Sequence, residues 1–320
     1  MADDYMVLHE STLGCSPDEQ VEYVLDEKMI FADLKLAINW PLRVFSLKGM
    51  GIDQSAFLTR IAPTFQDLPW DEYDMRRSQI YFLHGAFPDE QRRLESFNHS
   101  YYAGKCDVAP IADLIAGLSL EKRKEFDRIT PHRRRSLARF RVRKMSRYTW
   151  NVARILAGNY SQSQGGGDFR EEVRVFAEMS EEVTKYLGFE KLLMRLGQMV
   201  EHIHGQPEYV EINAHQMTTV ARHGKFGDGA PEGTHQDGMD YIVSALVIER
   251  KRIHGGMSIV YGSDKMTPYL HITLRPGQGI FQTDIESPFW HAVTPIYVDP
   301  NAGTDAVGER SILGFDVKIL

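Results

Sequence analysis

Cysteine is almost missing from this chain: Cys15 and Cys106 are the only two in 320 residues. Two thiols close one bridge at most, so a disulfide framework is excluded, and a reducing, cytoplasmic setting is expected. No apolar run reaches the roughly 18–20 residues that a membrane-spanning helix requires. The opening "MADDYMVLHE" has neither a basic start nor an apolar centre, so no secretory signal is expected. Positive charge is in short supply too. Lys and Arg total 37 against 44 Asp and Glu, a net charge of −7, which argues against general binding to nucleic acid. Neither "HGG" (254–256) nor "GQG" (277–279) has the strand-to-helix context of a phosphate loop.

The composition that remains, 42% hydrophobic and 25% charged, is that of a globular protein with a sizeable core. Residues 1–205 read as mainly helical with some strands. "AFPDEQRRLESFNHSYYAG" and "SLEKRKEFDRI" have helical charge spacing, and Ser119 is a candidate cap for the second. "SQIYFLHG" reads as a short strand, and "ARFRVRKM" alternates charge with apolar character, as a strand with a basic face does. "SQSQGGGDF" (161–169) reads as a loop. A helical stretch follows, with Val173, Phe176, Val183, Leu187, Leu192, Leu196 and Val200 roughly on one face and a break expected at Gly188.

From residue 206 to 320 short β-like runs alternate with turns. The expectation is an α+β fold. Its core is a double-stranded β-helix, a cupin-like jelly-roll, with the N-terminal mainly helical layer packed on one sheet.

"EGTHQDGMD" (232–240) opens one of these runs. Side chains at i and i+2 of a strand share a face, so His235 and Asp237 can aim at one point. Alone, such a pair is more often a solvated turn. His291 in "FWHAVTPI" is the best third partner, since several strands bring the chain back to it. Two histidines and one carboxylate are the facial ligand set of non-haem Fe(II) oxygenases, and they leave three positions for a chelating co-substrate and O2. A chelating 2-oxo acid also needs a cation for its far carboxylate. Arg310 in "GERSILGFDV" suits this, because a guanidinium meets a carboxylate with two parallel bonds.

The ordered pieces "EGTHQDGMDYIVSALVI", "GGMSIVYG", "FWHAVTPI" and "GERSILGFDV" resemble the 2-oxoglutarate/Fe(II)-dependent dioxygenases. They are most similar to the branch with bacterial L-isoleucine dioxygenase and related free-amino-acid oxygenases. The resemblance implies Fe(II) on His235, Asp237 and His291, 2-oxoglutarate held partly by Arg310, and O2 as oxidant. It implies a small-molecule substrate, a free amino acid, hydroxylated at an aliphatic carbon. Asp237 stands where halogenating relatives carry a small residue, which argues against halogen incorporation. Ring closure, as in aziridine formation from a valine-like amino acid, or desaturation remains open at the same site.

His215 and Gln216 are adjacent, so only one of them faces inward. Gln216 is a substrate-binding candidate by resemblance, and a structural amide explains it equally well. The stretch from Arg133 to Arg147 carries eight Arg or Lys. It reads as a solvated strand face or as a nucleic-acid patch on a non-catalytic β-barrel module. A third reading sets one of Arg139, Arg141 or Arg143 at the active-site mouth to bind an amino-acid carboxylate. His202 and His204 read as a solvated helix end, and Trp290 as packing on the far side of the His291 strand. No oligomeric state is legible.

Overall fold

In the computed structural model, residues 41–146, 149–155, 176–205 and 207–320 are described. The expected loop at 161–169, Val173, Arg147 and Cys15 lie outside them.

The site-bearing scaffold is a large sheet of eight strands, with order β1-β10-β6-β13-β5-β2-β3 and β4 beside β2. The strands are β1 (Leu42–Ser46), β2 (Arg133–Lys144), β3 (Trp150–Ile155), β4 (Ala177–Glu178), β5 (Val210–Arg222), β6 (Tyr241–Lys251), β10 (Gln278–Thr283) and β13 (Val307–Ile319). All pairings are antiparallel except that of β2 with β4. A smaller antiparallel sheet, order β11-β8-β9, holds β8 (Ser258–Tyr261), β9 (Pro268–Ile272) and β11 (Trp290–Val293). β7 (Ile253–Gly255) and β12 (Ile296–Val298) form a separate pair. The large sheet therefore draws strands from both sides of residue 206.

Strand alternation sorts the side chains of this sheet into two cores. One face carries Ala138, Phe140, Val142, Ile212, Ala214, Leu313, Phe315 and Val317. Against it lie α1 (Gln54–Ile61) and the later helix α7 (Leu187–His204). α7 buries Phe189, Leu192, Leu193, Leu196 and Val200, a stripe at helical spacing. Gly197 allows the close approach, since a Cβ there would lie 2.9 Å from Val142 Cγ1. The other face carries Ala245, Val247, Ile280 and Ile312, which pack against Val260, Leu270 and Ile272 of the small sheet. The candidate ligands lie on this inner side.

The remaining helices are α2 (Tyr73–Ala86), α3 (Gln91–Tyr102), α4 (Ala112–Ala116), α5 (Leu120–Asp127) and α6 (Glu181–Thr184). α2 to α5 bury their own cluster, with Ile80, Leu83, Leu94, Tyr101, Ile111 and Phe126. The helical layer thus divides, and only part of it covers the sheet. Ser119 caps α5, its hydroxyl accepting from Lys122 N. "SQIYFLHG" is helical and not a strand: it forms most of α2, with Ile80 and Leu83 buried one turn apart and Tyr81 82% exposed. β-prone residue types yield here to packing at period 3.6. The expected break at Gly188 falls at the start of α7, preceded by the short α6.

A buried ion pair ties the satellite helices to the sheet. Arg133 of β2 is fully enclosed and donates to Asp74 of α2, with Asp71 at 3.5 Å. Removing one member of such a pair leaves a charge without its partner, a cost of about 3–5 kcal/mol. Asp74→Ala should destabilise the protein by about that amount in urea unfolding. Asp74→Asn, which keeps an acceptor for the guanidinium, should cost less.

Candidate metal centre

His235 and His291 face each other through their backbones. They form an isolated antiparallel bridge, with His235 N to His291 O at 3.0 Å and His291 N to His235 O at 2.9 Å. Opposed residues in such a bridge project to one side, and the two imidazole centroids are 4.2 Å apart. Asp237, two residues on, reaches both rings: its carboxylate lies 3.5 Å from His235 Nε2 and 3.3 Å from His291 Nε2. One donor atom from each of the three residues lies within 4.8 Å of the others.

The supporting contacts keep these donors aimed. His235 Nδ1 lies 2.8 Å from Gly233 O, so its proton is directed there and Nε2 is left for a metal. Between the ligands, Gln236 turns the other way. Its amide donates to the carbonyls of Asp284, Ser287 and Phe289, fixing the segment that leads into His291. Trp290 lies outside, under Lys265 Nζ at 3.4 Å from the ring centroid.

Charge is concentrated here. Burial opposes ionisation of Asp237, yet hydrogen bonds and charge from His235 and His291 hold its carboxyl well below the usual range. Burial draws His235 down, but Asp237 and then Glu232 push it up to about 9. Asp284, buried nearby, is pushed up to about 6 by burial, with the charge of Asp237 adding.

A model of the 2OG-Fe dioxygenase family matches residues 121–315, more than half of the chain. The chain belongs to that family. It is an Fe(II)/2-oxoglutarate-dependent dioxygenase, with Fe(II), 2-oxoglutarate and O2 as its reactive partners. Among solved structures, a bsmA homolog from Methylobium petroleophilum PM1 aligns at 16% identity and a TM-score of 0.58, over 87% of this chain and 88% of that one. That likeness concerns the fold. IDO from Bacillus thuringiensis aligns at 16% identity and a TM-score of 0.48, over 59% of this chain and 78% of that one. The Fe(II)/α-ketoglutarate-dependent dioxygenase TqaL aligns at 14% identity and a TM-score of 0.43, over 77% and 89%. No curated protein matches the chain.

The dioxygenase's donor set fits a ferrous ion: two imidazoles and one carboxylate converge in a small cavity of about 100 Å³. The same cavity is lined by a buried cation. Arg310 of β13 is 3% exposed, and its Nε and Nη2 are buried without partners. Burial pulls this guanidinium down to about 10, with Arg250 adding, so it stays charged at neutral pH.

The sequence-level candidates divide here. His235, Asp237, His291 and Arg310 share the cavity, and Gln216 does not. On β5 the adjacent His215 faces inward. Gln216 faces the helices, where its amide bonds Thr64 and Ser136. Arg139, Arg141 and Arg143 are also turned elsewhere, toward Asn213, Glu211 and Tyr209. The arginines that line the cavity are Arg133 and Arg135, earlier on the same strand. They were missed because the alternating segment "ARFRVRKM" begins at Ala138, and the run of three arginines before it does not show which of them faces the site. Lys144 pairs with Glu201, and Arg134 stacks on Trp70, so much of the basic stretch is engaged within the protein. Among the described residues no helix is long and apolar enough to cross a membrane.

In the metal-free chain His235 carries a proton at neutral pH, and a divalent ion must displace it. Mn(II) affinity should rise with pH up to about 9, roughly tenfold per unit for one proton released. Calorimetry in buffers of differing ionisation enthalpy reads that proton directly; uptake at pH 7 without proton release would contradict it.

Proposed function

We propose that this dioxygenase hydroxylates an unactivated aliphatic C–H of a small free amino acid or close derivative, in a reducing, cytoplasmic setting. In this reading His235, Asp237 and His291 hold the iron, and Arg310 takes the far carboxylate of 2-oxoglutarate. Residues 206–320 supply the catalytic core as a double-stranded β-helix, and residues 1–205 the covering layer. The observation that carries the reading is the convergence of three ligand atoms within 4.8 Å, in one cavity with a guanidinium whose Nε and Nη2 are buried without partners.

Bound Fe(II) supplies O2 activation coupled to decarboxylation of 2-oxoglutarate to succinate and CO2. The chain's own part is binding and positioning. Asp237 stays ionised and contributes one negative charge toward the metal. The Gly233 carbonyl fixes the His235 tautomer. Arg310 donates two N–H groups to the co-substrate, and its burial strengthens that bond by excluding water. Gly256 allows the guanidinium its place: φ is +66°, and a Cβ there would lie 2.9 Å from Arg310 Cδ. Aliphatic Met217 and Ile312 keep the space beside these charges dry.

Asp237→Ala should abolish succinate release with Fe(II), 2-oxoglutarate, O2 and an amino-acid panel. Undiminished turnover in that variant rules out the iron assignment. Arg310→Gln should raise the KM for 2-oxoglutarate by about 10–100-fold, the worth of a charge-assisted pair. Product mass identifies the outcome: hydroxylation adds one oxygen, whereas ring closure or desaturation removes two hydrogens.

A further inference from the structure

Three guanidiniums line the cavity, and two already have a role. Arg133 is paired with Asp74 and Asp71. Arg310 receives the keto acid in the reading above. Arg135 has no ion pair among the described residues, and its Nε is buried without a partner.

The described surroundings of Arg135 hold it in place without giving it an acidic partner. Its Nη2 lies 3.0 Å from His215 Nδ1. A guanidinium can only donate, so Nδ1 accepts and the ring proton sits on Nε2. That proton is donated to Asp316 Oδ2 at 2.9 Å. The guanidinium carbon lies over the Phe176 ring, 4.4 Å from its centroid. A cation held in a low-dielectric wall with an orphaned N–H is costly until an anion meets it.

Strand register separates this cation from Arg310. Arg310 stands opposite Thr219, which stands opposite Arg133. Two residues along, on the same face, Arg135 stands opposite Met217, which stands opposite Ile312. Two strand spacings and two residues put Arg135 and Arg310 about 12 Å apart at Cα, room for two carboxylates on separate cations.

Gly314 adds a second, independent observation. It lies opposite His215 on β5 and lines the cavity. A Cβ there would be in ordinary contact, 3.7 Å from His215 Cβ and 3.7 Å from Val243 O. The backbone does not demand glycine, and glycine weakens a central strand. The missing methyl leaves the cavity wall one carbon shallower at this point, on the strand beyond His215.

We propose that Arg135, oriented by His215 and Asp316, binds the carboxylate of the organic substrate, and that Gly314 makes room for the carbon chain attached to it. This rests on the oxygenase reading and names how that site selects a small carboxylic acid, as distinct from its keto-acid co-substrate.

Anaerobic calorimetry on the full chain loaded with Fe(II) and 2-oxoglutarate tests it, with no turnover required. The probes are alanine, valine, leucine and isoleucine, each beside its carboxamide. The wild type should bind at least one acid about tenfold or more tighter than its amide. Arg135→Gln should lose about tenfold or more for the acid, level the acid–amide difference and leave 2-oxoglutarate affinity unchanged, while Arg135→Lys retains part of the preference. A preference that survives Arg135→Gln overturns the assignment, as does a loss confined to 2-oxoglutarate or a wild type indifferent to the carboxylate. In each of those cases the oxygenase reading stands; a wild type that binds no 2-oxoglutarate defeats that reading and this assignment together. Gly314→Ala should keep its melting temperature and lose more affinity for leucine than for alanine. An equal loss across the panel, or none, overturns the size role.

Discussion

Two backbone hydrogen bonds between His235 and His291 are the constraint on which the site depends. Neither residue sits within a long ladder. The bridge joins the loop before β6 to the start of β11, so it spans the two sheets at the open end of the core. Because the pairing fixes register, it also fixes direction: both rings must rise on one side, and Asp237 follows two residues later on the same side. Gln236 makes this rigid from behind, since its one amide group satisfies three carbonyls of the returning chain. A metal site needs its ligands held to fractions of an ångström. Here the ladder and the amide supply that precision, though His235 and Asp237 themselves lie in a loop.

The cost of the arrangement is concentrated charge. Arg133, Arg135 and Arg310 share one small cavity with Glu232, Asp237 and Asp316. Unpaired, each would oppose folding. The structure settles most of them locally: Arg133 against two aspartates, and Asp316 against His215. What is left without an acidic partner among the described residues is informative, because a buried charge of that kind is costly until an anion meets it. Both remaining cations line the same face of the large sheet, between the hydrophobic cluster of the sandwich and the metal ligands.

Much of the β region was legible, because its strands alternate and its turns are punctuated. The convergence of His235, Asp237 and His291 could be read for the same reason, since they sit at the mouths of short β runs. Parity was the weak point. His215 and Gln216 differ by one position, and sequence alone does not say which faces the cavity. The structure decides it through the helix-side partners of Gln216, Thr64 and Ser136, the first of which lies far away in the chain. The same limit hid Arg135, since β2 carries Arg133, Arg135, Arg139, Arg141 and Arg143 on one parity but only its first part overlies the site. "SQIYFLHG" shows the opposite failure, where residue type suggested a strand and a cluster with α3 and α5 made it helix.

Two neighbouring arginines show how the fold tells one cation from another. Arg250 and Arg310 are direct partners across β6 and β13. Arg250 Nη2 donates to Gly255 O at 2.6 Å, and its Nη1 lies 3.5 Å from Gly256 O. Those carbonyls are available because Gly255 and Gly256 both take positive φ, which turns the chain sharply over the strand pair. The turn thus absorbs one guanidinium into backbone dipoles, and its Gly256 leaves room for the stem of the other. Arg310 receives no such acceptor at Nε or Nη2, and the nearby charge of Arg250 makes its isolation more costly. An anion brought into the cavity would relieve that cost, and a neutral ligand would not.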